Sequence, residues 1–252
     1  MSESQVMADL VAANHILAAE GIVDSFGHVS ARHPDRPDRF LISRVRAAEL
    51  VAAEDVVELD FAGRSQVPTT ERLFAERFLH AAVYRLRPDV MSVCHHHAPQ
   101  ILPFCVTGRP LVAVVHLGAT MGASVPFWSA RDEFGDTDLL VSTEARGASM
   151  ARALGDGWTV LLRHHGATVA GRSVRECVFR SVYGAYNATA LLRAAQLGQP
   201  TPLTPSEIAA AQASNLQPLA VDRTWERWQL RARRLSIEPT TVQHDHDQGD
   251  ER

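Results

Sequence analysis

Val90-Met91-Ser92-Val93-Cys94-His95-His96-His97 is a short apolar run closed by three consecutive histidines. In an extended strand side chains alternate between faces, so His95 and His97 point one way and His96 the other. That H-x-H step is a two-toothed clamp for a metal. A second pair, His164-His165, stands directly before Gly166. A divalent metal takes three or four convergent ligands, and a catalytic one keeps a position open for substrate. Two imidazoles from one strand, a third from a later loop and a nearby carboxylate supply such a set. The alternative, ordinary surface or core histidines, leaves unexplained why they cluster where short strands end.

Upstream of the triple histidine, Thr69 and Thr70 open a helix that runs to about Arg87 and is stopped by Pro88. Phe74, Phe78, Leu79, Ala82 and Leu86 form its apolar stripe, while Glu76, His80 and Tyr84, at i, i+4 and i+8, share a different face. An N-terminal helix follows from the spacing of Val6, Leu10, Val11, Leu17 and Ala18, and Gly21 ends it. Strands are predicted at 28–32, 40–43 and 56–59. Downstream, 111–115 reads as a strand and 143–154 as a helix. Residues 158–162 and 167–170 form a hairpin with histidines at its tip. Ser173 with Glu176 reads as a capping box, and so does Thr204 with Glu207, where Pro205 takes the favoured first position. A last amphipathic helix carries Trp225, Trp228 and Leu230. Strands interleaved with helices, plus a hairpin, point to a layered α/β domain with a mixed or antiparallel sheet.

With 252 residues and 46% hydrophobic content, the chain buries one sizeable core. A single domain over 1–238 is expected, followed by a polar tail, 239–252, with nothing to bury and therefore disordered. His244 and His246 in that tail repeat the H-x-H spacing without a strand around them. A net charge of −4 with interspersed signs argues against nucleic-acid and membrane-surface binding. No run approaches the roughly 20 apolar residues of a membrane span, and the first residues lack a secretory layout. Cys94, Cys105 and Cys177 form no paired framework, which fits a reducing cytoplasm. The chain contains no lysine. Schiff-base chemistry is therefore closed to it, and carbon–carbon bond chemistry must stabilise negative charge by another route. A metal is the obvious one.

The residues Glu76 to His80, then Tyr84, Arg87-Pro88-Asp89-Val90 and His95-His96-His97, resemble the core signature of the class II aldolase/adducin family. Leu161 to Gly166, Val169 and Gly171 resemble its later histidine–glycine motif, and Gly27-His28-Val29-Ser30-Ala31-Arg32 its early substrate loop. The resemblance runs from about residue 5 to 235. It implies an α/β/α fold around a mostly antiparallel sheet, and a homotetramer with active sites shared between neighbouring subunits. It further implies one divalent metal ion per subunit (manganese, zinc or ferrous iron) on His95, His97 and His165, with Glu76 as the acid/base residue.

That family is chemically mixed, and the departures from its sugar-phosphate members are informative. Those members place an asparagine after the early glycine and a hydroxyl pair directly before the catalytic glutamate, where phosphate is held. Here His28 stands at the first place and Phe74-Ala75 at the second. Phe and Ala offer phosphate no donor, although a Phe ring can lie against an aromatic substrate or simply pack in the core. The string from Gly21 to Arg32 most resembles the branch that decarboxylates hydroxy-aromatic dicarboxylates. Such a small-molecule aromatic carboxylate would be bound by Gly27, His28, Ser43 and Arg44, the guanidinium gripping a carboxylate. The expected reaction is metal-dependent decarboxylation, of the dihydroxyphthalate or 3-hydroxy-2-methylpyridine-4,5-dicarboxylate type. Glu76 then carries a proton to ring carbon; burial would raise its pKa and a nearby cation would oppose that. Alternatives are a sugar-phosphate or hydroxy-keto-acid aldolase or epimerase, a non-enzymatic adducin-like binding module, and a ferrous oxygenase.

Overall fold

The computed structural model describes residues 2–237 except 66 and 68; the predicted tail, with His244 and His246, lies outside the described residues. Helix α1 (Glu3–Ala19) is followed by the antiparallel strands β1 (His28–Arg32), β2 (Arg39–Ser43) and β3 (Val56–Asp60). Then come α2 (Arg77–Leu86), β4 (Ser92–His96), α3 (Leu102–Thr107), β5 (Phe127–Trp128), α4 (Ala130–Phe134) and α5 (Glu144–Leu154). The hairpin β6 (Thr159–Leu162) and β7 (Gly166–Gly171) leads into α6 (Val174–Leu197), α7 (Pro205–Asn215) and α8 (Pro218–Ile237). The strands form one sheet in the order β3-β2-β1-β4-β7-β6-β5. Every pair is antiparallel except β5 with β6. Among the described residues no helix is long and apolar enough to cross a membrane.

Helices cover both faces of the sheet. On one side Leu10, Ile16 and Leu17 of α1, Val178 and Phe179 of α6 and Trp225 and Trp228 of α8 pack with Val29, Ala31, Cys94 and Val169. On the other, Leu79, Val83 and Tyr84 of α2 and Met150 and Leu154 of α5 pack with Phe40, Ile42, Val93 and Val160. This is the α/β/α architecture that the sequence implies.

Four local readings change. Helix α2 begins at Arg77, so Thr69 and Thr70 do not open it. Residues 111–115 form no strand. Their backbone groups bond instead to the side-chain amide of Asn187, which donates to the Val112 carbonyl (2.9 Å) and accepts from the Val114 amide (2.9 Å). A side chain thus satisfies buried peptide groups that would otherwise need a neighbouring strand. Leu230 is half exposed, whereas Trp225 and Trp228 are buried. The N-caps Thr143, Ser173 and Thr204 each accept a backbone N–H, although Glu176 closes no box and pairs with Arg180 instead.

Candidate metal centre

The register of three adjacent strands builds the site. His28 of β1 lies opposite His95 of β4, and His95 lies opposite Thr168 of β7. Cross-strand partners share a face, so all three side chains rise toward α2. Gly27, at φ +94, lets the loop before β1 close onto this row; a Cβ there would lie 3.0 Å from the His95 carbonyl oxygen. At the hairpin tip His164 takes a left-handed turn, φ +54, and its side chain is exposed, while His165 turns inward. A Cβ on the adjoining Gly166 would collide with the His96 carbonyl and lie 2.9 Å from His97 Cδ2. Only glycine lets the tip sit this close to β4.

Glu76 occupies the N-cap position of α2, yet its side chain makes no capping bond. Its Oε1 accepts the Val141 N–H at 2.9 Å, while Oε2 lies 3.5 Å from His95 Nε2 and 3.7 Å from His165 Nε2. The Nε2 atoms of His95 and His97 are 3.1 Å apart. Donor atoms of Glu76, His95, His97 and His165 all lie within 4.8 Å of one another. A tetrahedron with metal–ligand arms of about 2.1 Å has edges of about 3.4 Å, so these separations suit a divalent cation. The outer sides of two rings fit as well. His95 Nδ1 is 3.2 Å from Thr168 Oγ1. His165 Nδ1 is buried without a hydrogen bond among the described residues, and the Leu139 carbonyl faces the His165 ring. A metal on Nε2 leaves the proton on Nδ1 and gives that carbonyl a donor.

Burial, reinforced by His95, pushes His97 and His165 down to about 4, so both present neutral lone pairs at neutral pH. For Glu76 burial alone would favour the protonated form. The neighbouring His95, His165 and His28 outweigh it and hold the carboxyl well below its ordinary range. The direction that the sequence left open is therefore downward, toward a carboxylate ready to accept a proton.

The segment between α4 and α5 straps the cluster. Leu139 adopts φ +66, a strained conformation for a branched residue, with its carbonyl facing His165, and Val141 holds Glu76. Arg146 pins this strap through Asp138 (2.6 Å) and the Leu140 carbonyl (2.8 Å). No sequence motif pointed to Leu139, Val141, Arg146 or Thr168.

The remaining candidates divide. His28 is buried beside the cluster, its ring centroid 5.4 Å from that of His95 and 4.5 Å from that of Phe74. His80 is fully buried, its ring nitrogens bonded to His28 and Ser30. His96 points away from the cluster, and its Nδ1 accepts the Ala98 N–H. His116 is exposed. Ser43 is buried without a hydrogen bond, and the register that sets Ile42 opposite Ser30 puts it on the other face of the sheet. Arg44 is engaged by Asp55 (2.7 Å) and Glu71 (3.4 Å), and makes no contact with the histidine cluster among the described residues.

The chain has known relatives. The model of the class II aldolase and adducin N-terminal domain matches residues 8–192. The chain is similar to Decarboxylase tropJ of Talaromyces stipitatus, 35% identical over 187 residues covering 69% of this chain and 70% of that one. It is also similar to 3,4-dihydroxyphthalate decarboxylase of Terrabacter sp., 32% identical over 194 residues, 72% of this chain and 76% of that one. Among solved structures, L-fuculose 1-phosphate aldolase from Glaciozyma antarctica PI12 shares the fold with a TM-score of 0.76, at 21% identity over 93% of this chain and 90% of that chain. Sheet, covering helices and motif residues thus converge on one conclusion: the chain belongs to the class II aldolase/adducin family.

Proposed function

We propose that this protein is a metal-dependent decarboxylase of a hydroxylated aromatic dicarboxylate, of the dihydroxyphthalate or 3-hydroxy-2-methylpyridine-4,5-dicarboxylate type. One observation carries the reading: a buried carboxyl group, Glu76, its pKa pushed down, stands among three convergent imidazoles. His95, His97 and His165 hold the cation, which when bound supplies a Lewis acid for substrate oxygens and for the charge that develops as carbon dioxide departs. Glu76, ionised before substrate arrives, acts first as a base. It takes the proton of the hydroxyl ortho to the departing carboxylate and returns it to the ring carbon as the carbon–carbon bond breaks. The carboxylate leaves as carbon dioxide, the ring carbon gains a hydrogen, and the deprotonated oxygen recovers its proton from water. The Val141 N–H, fixed on Oε1, leaves Oε2 as the oxygen that exchanges the proton.

The substrate side favours a flat ring. Phe74 and His28 stand side by side, and an aromatic substrate can lie against such a pair. The decarboxylases among the relatives support the reaction class. Sugar-phosphate cleavage, the second reading, needs hydroxyls or cations where the chain has Phe74 and Ala75. With Arg44 committed to Asp55, a second carboxylate is met by His28, or by a neighbouring copy in the homotetramer that the family resemblance implies. The test is to offer hydroxylated phthalates and pyridine dicarboxylates with manganese, zinc or ferrous iron. Metal-dependent release of carbon dioxide from at least one is expected; cleavage of sugar phosphates alone would overturn the reading.

A further inference from the structure

Behind His28 runs a buried chain of polar groups. His28 Nδ1 is 2.6 Å from His80 Nε2, His80 Nδ1 is 2.7 Å from Ser30 Oγ, and Ser30 Oγ is 2.7 Å from the Tyr84 hydroxyl. His80 and Tyr84 are one helical turn apart on α2, and His28 and Ser30 are two residues apart on β1, so one helix face and one strand face zip together. All four side chains are buried, and Phe40 stacks on His80, its ring inclined by 14°. Only one hydrogen fits the 2.6 Å contact between the two ring nitrogens, and with neither ring bonded to a carboxylate each is neutral and carries one N–H.

The chain has a direction. Ser30 Oγ is the acceptor bonded to the Tyr84 hydroxyl, whose own oxygen faces the Val93 N–H, so Tyr84 donates to Ser30 to avoid a wasted buried donor. Ser30 can then send its own hydrogen to His80 Nδ1 at 2.7 Å or to the Val93 carbonyl at 3.5 Å. The shorter bond wins, because hydrogen bonds near 3.5 Å are at the edge of usefulness. His80 is then protonated on Nε2 and donates to His28 Nδ1. That leaves His28 protonated on Nε2, the nitrogen with no partner among the described residues, on a ring beside His95 and Phe74.

We propose that Tyr84, Ser30 and His80 act as positioning residues that lock His28 as a hydrogen-bond donor, its Nε2–H offered beside the metal centre to a carboxylate oxygen of the substrate. A neutral donor recognises an anion without adding charge next to a cation. It also discriminates: a hydroxyl or carboxylate oxygen is accepted, while a substrate group with only hydrogens to give is left unpaired. The choice of carboxylate as ligand rests on the decarboxylase reading; the locked tautomer does not.

Two measurements on the zinc-loaded protein test this. Long-range proton–nitrogen spectra of 15N-labelled protein, with His28 assigned by loss of its signals in His28→Gln, report which ring nitrogen carries the proton. Nε2 of both His28 and His80 should be pyrrole-like and Nδ1 pyridine-like, and Tyr84→Phe should blur that pattern by freeing Ser30. Phthalate, as a simple dicarboxylate probe, should bind His28→Phe roughly tenfold to a hundredfold more weakly than the wild type, the loss expected for a hydrogen bond to a charged group. His28→Gln, whose amide N–H can replace the Nε2–H, should recover most of that loss. A proton on His28 Nδ1, no phthalate binding by the wild type, or equal binding by His28→Phe would each overturn the proposal. An Nε2–H spectrum with phthalate bound but no carbon dioxide released from any hydroxy-phthalate would sink the decarboxylase reading and leave this proposal standing.

Discussion

The two faces of one strand divide the labour of the molecule. All five residues of β1 are buried, yet Val29 and Ala31 join the apolar layer under α1, whereas His28, Ser30 and Arg32 face α2. Strand β4 repeats the division, with Cys94 on the apolar side and His95 on the polar one. The apolar face asks only for shape and earns its stability from burial. A polar face costs stability wherever a buried group goes unpartnered. Arg32 shows how strictly this holds: its guanidinium donates to the carbonyls of Pro37, Tyr84, Arg87 and Val90, all at 3.0 Å or less. The C-terminal end of α2, at Tyr84 and Arg87, is thereby capped by a cation from the sheet below. Chemistry is confined to the face toward α2, which also carries an apolar layer of its own around the site.

Acid should break the comparison most severely. In the metal-stripped protein His80 and His96 titrate at about 3 and His97 and His165 at about 4, all below the unfolded value of 6.5. Between pH 6.5 and 4 the unfolded chain therefore binds protons that the folded one refuses. Stability is full above pH 6.5 and falls as pH drops through that window, by up to about 1.4 kcal/mol per pH unit for each linked proton. Urea melts at stepped pH measure it, and a flat profile would contradict the neutral, buried imidazoles. Next in size is His165→Ala or His95→Ala, expected to lose both bound metal and activity, the latter by at least about a thousandfold. Stoichiometric metal in either variant would refute the ligand set. Glu76→Gln should keep its metal and lose roughly a hundredfold to ten-thousandfold in turnover, the range for a proton carrier. Leu17→Ala, on the apolar face, is the contrasting control. It should lower unfolding stability by roughly 2–5 kcal/mol while metal content of the folded protein stays unchanged.

Much of this was legible locally. Alternation along 90–97 put His95 and His97 on one face, hairpin signals put His165 at a tip, and capping residues marked where α6 and α7 begin. What escaped was set by distance in sequence. Val141 lies 65 residues from Glu76, Thr168 lies 73 from His95, and Ser30 lies 50 from His80. Register between β4 and β7 creates the second of these pairs, and the packing of α2 on β1 and on the segment before α5 creates the other two; no local periodicity encodes either. The start of α2 was misplaced for a related reason. Glu76, at the N-cap position, spends its carboxylate on Val141 and the histidines, so the usual capping signal is missing. Arg44 looked like an anion grip because its partner Asp55 lies 11 residues further on, beyond any motif.

The central claim is that one cation, held by His95, His97 and His165 beside an ionised Glu76, is required for the reaction. Metal content and carbon dioxide release should be measured together on protein stripped by a strong chelator and then titrated with manganese, zinc or ferrous iron. Activity should vanish on stripping and return in proportion to metal bound, saturating at about one equivalent per chain. Undiminished turnover by fully stripped protein would contradict the account.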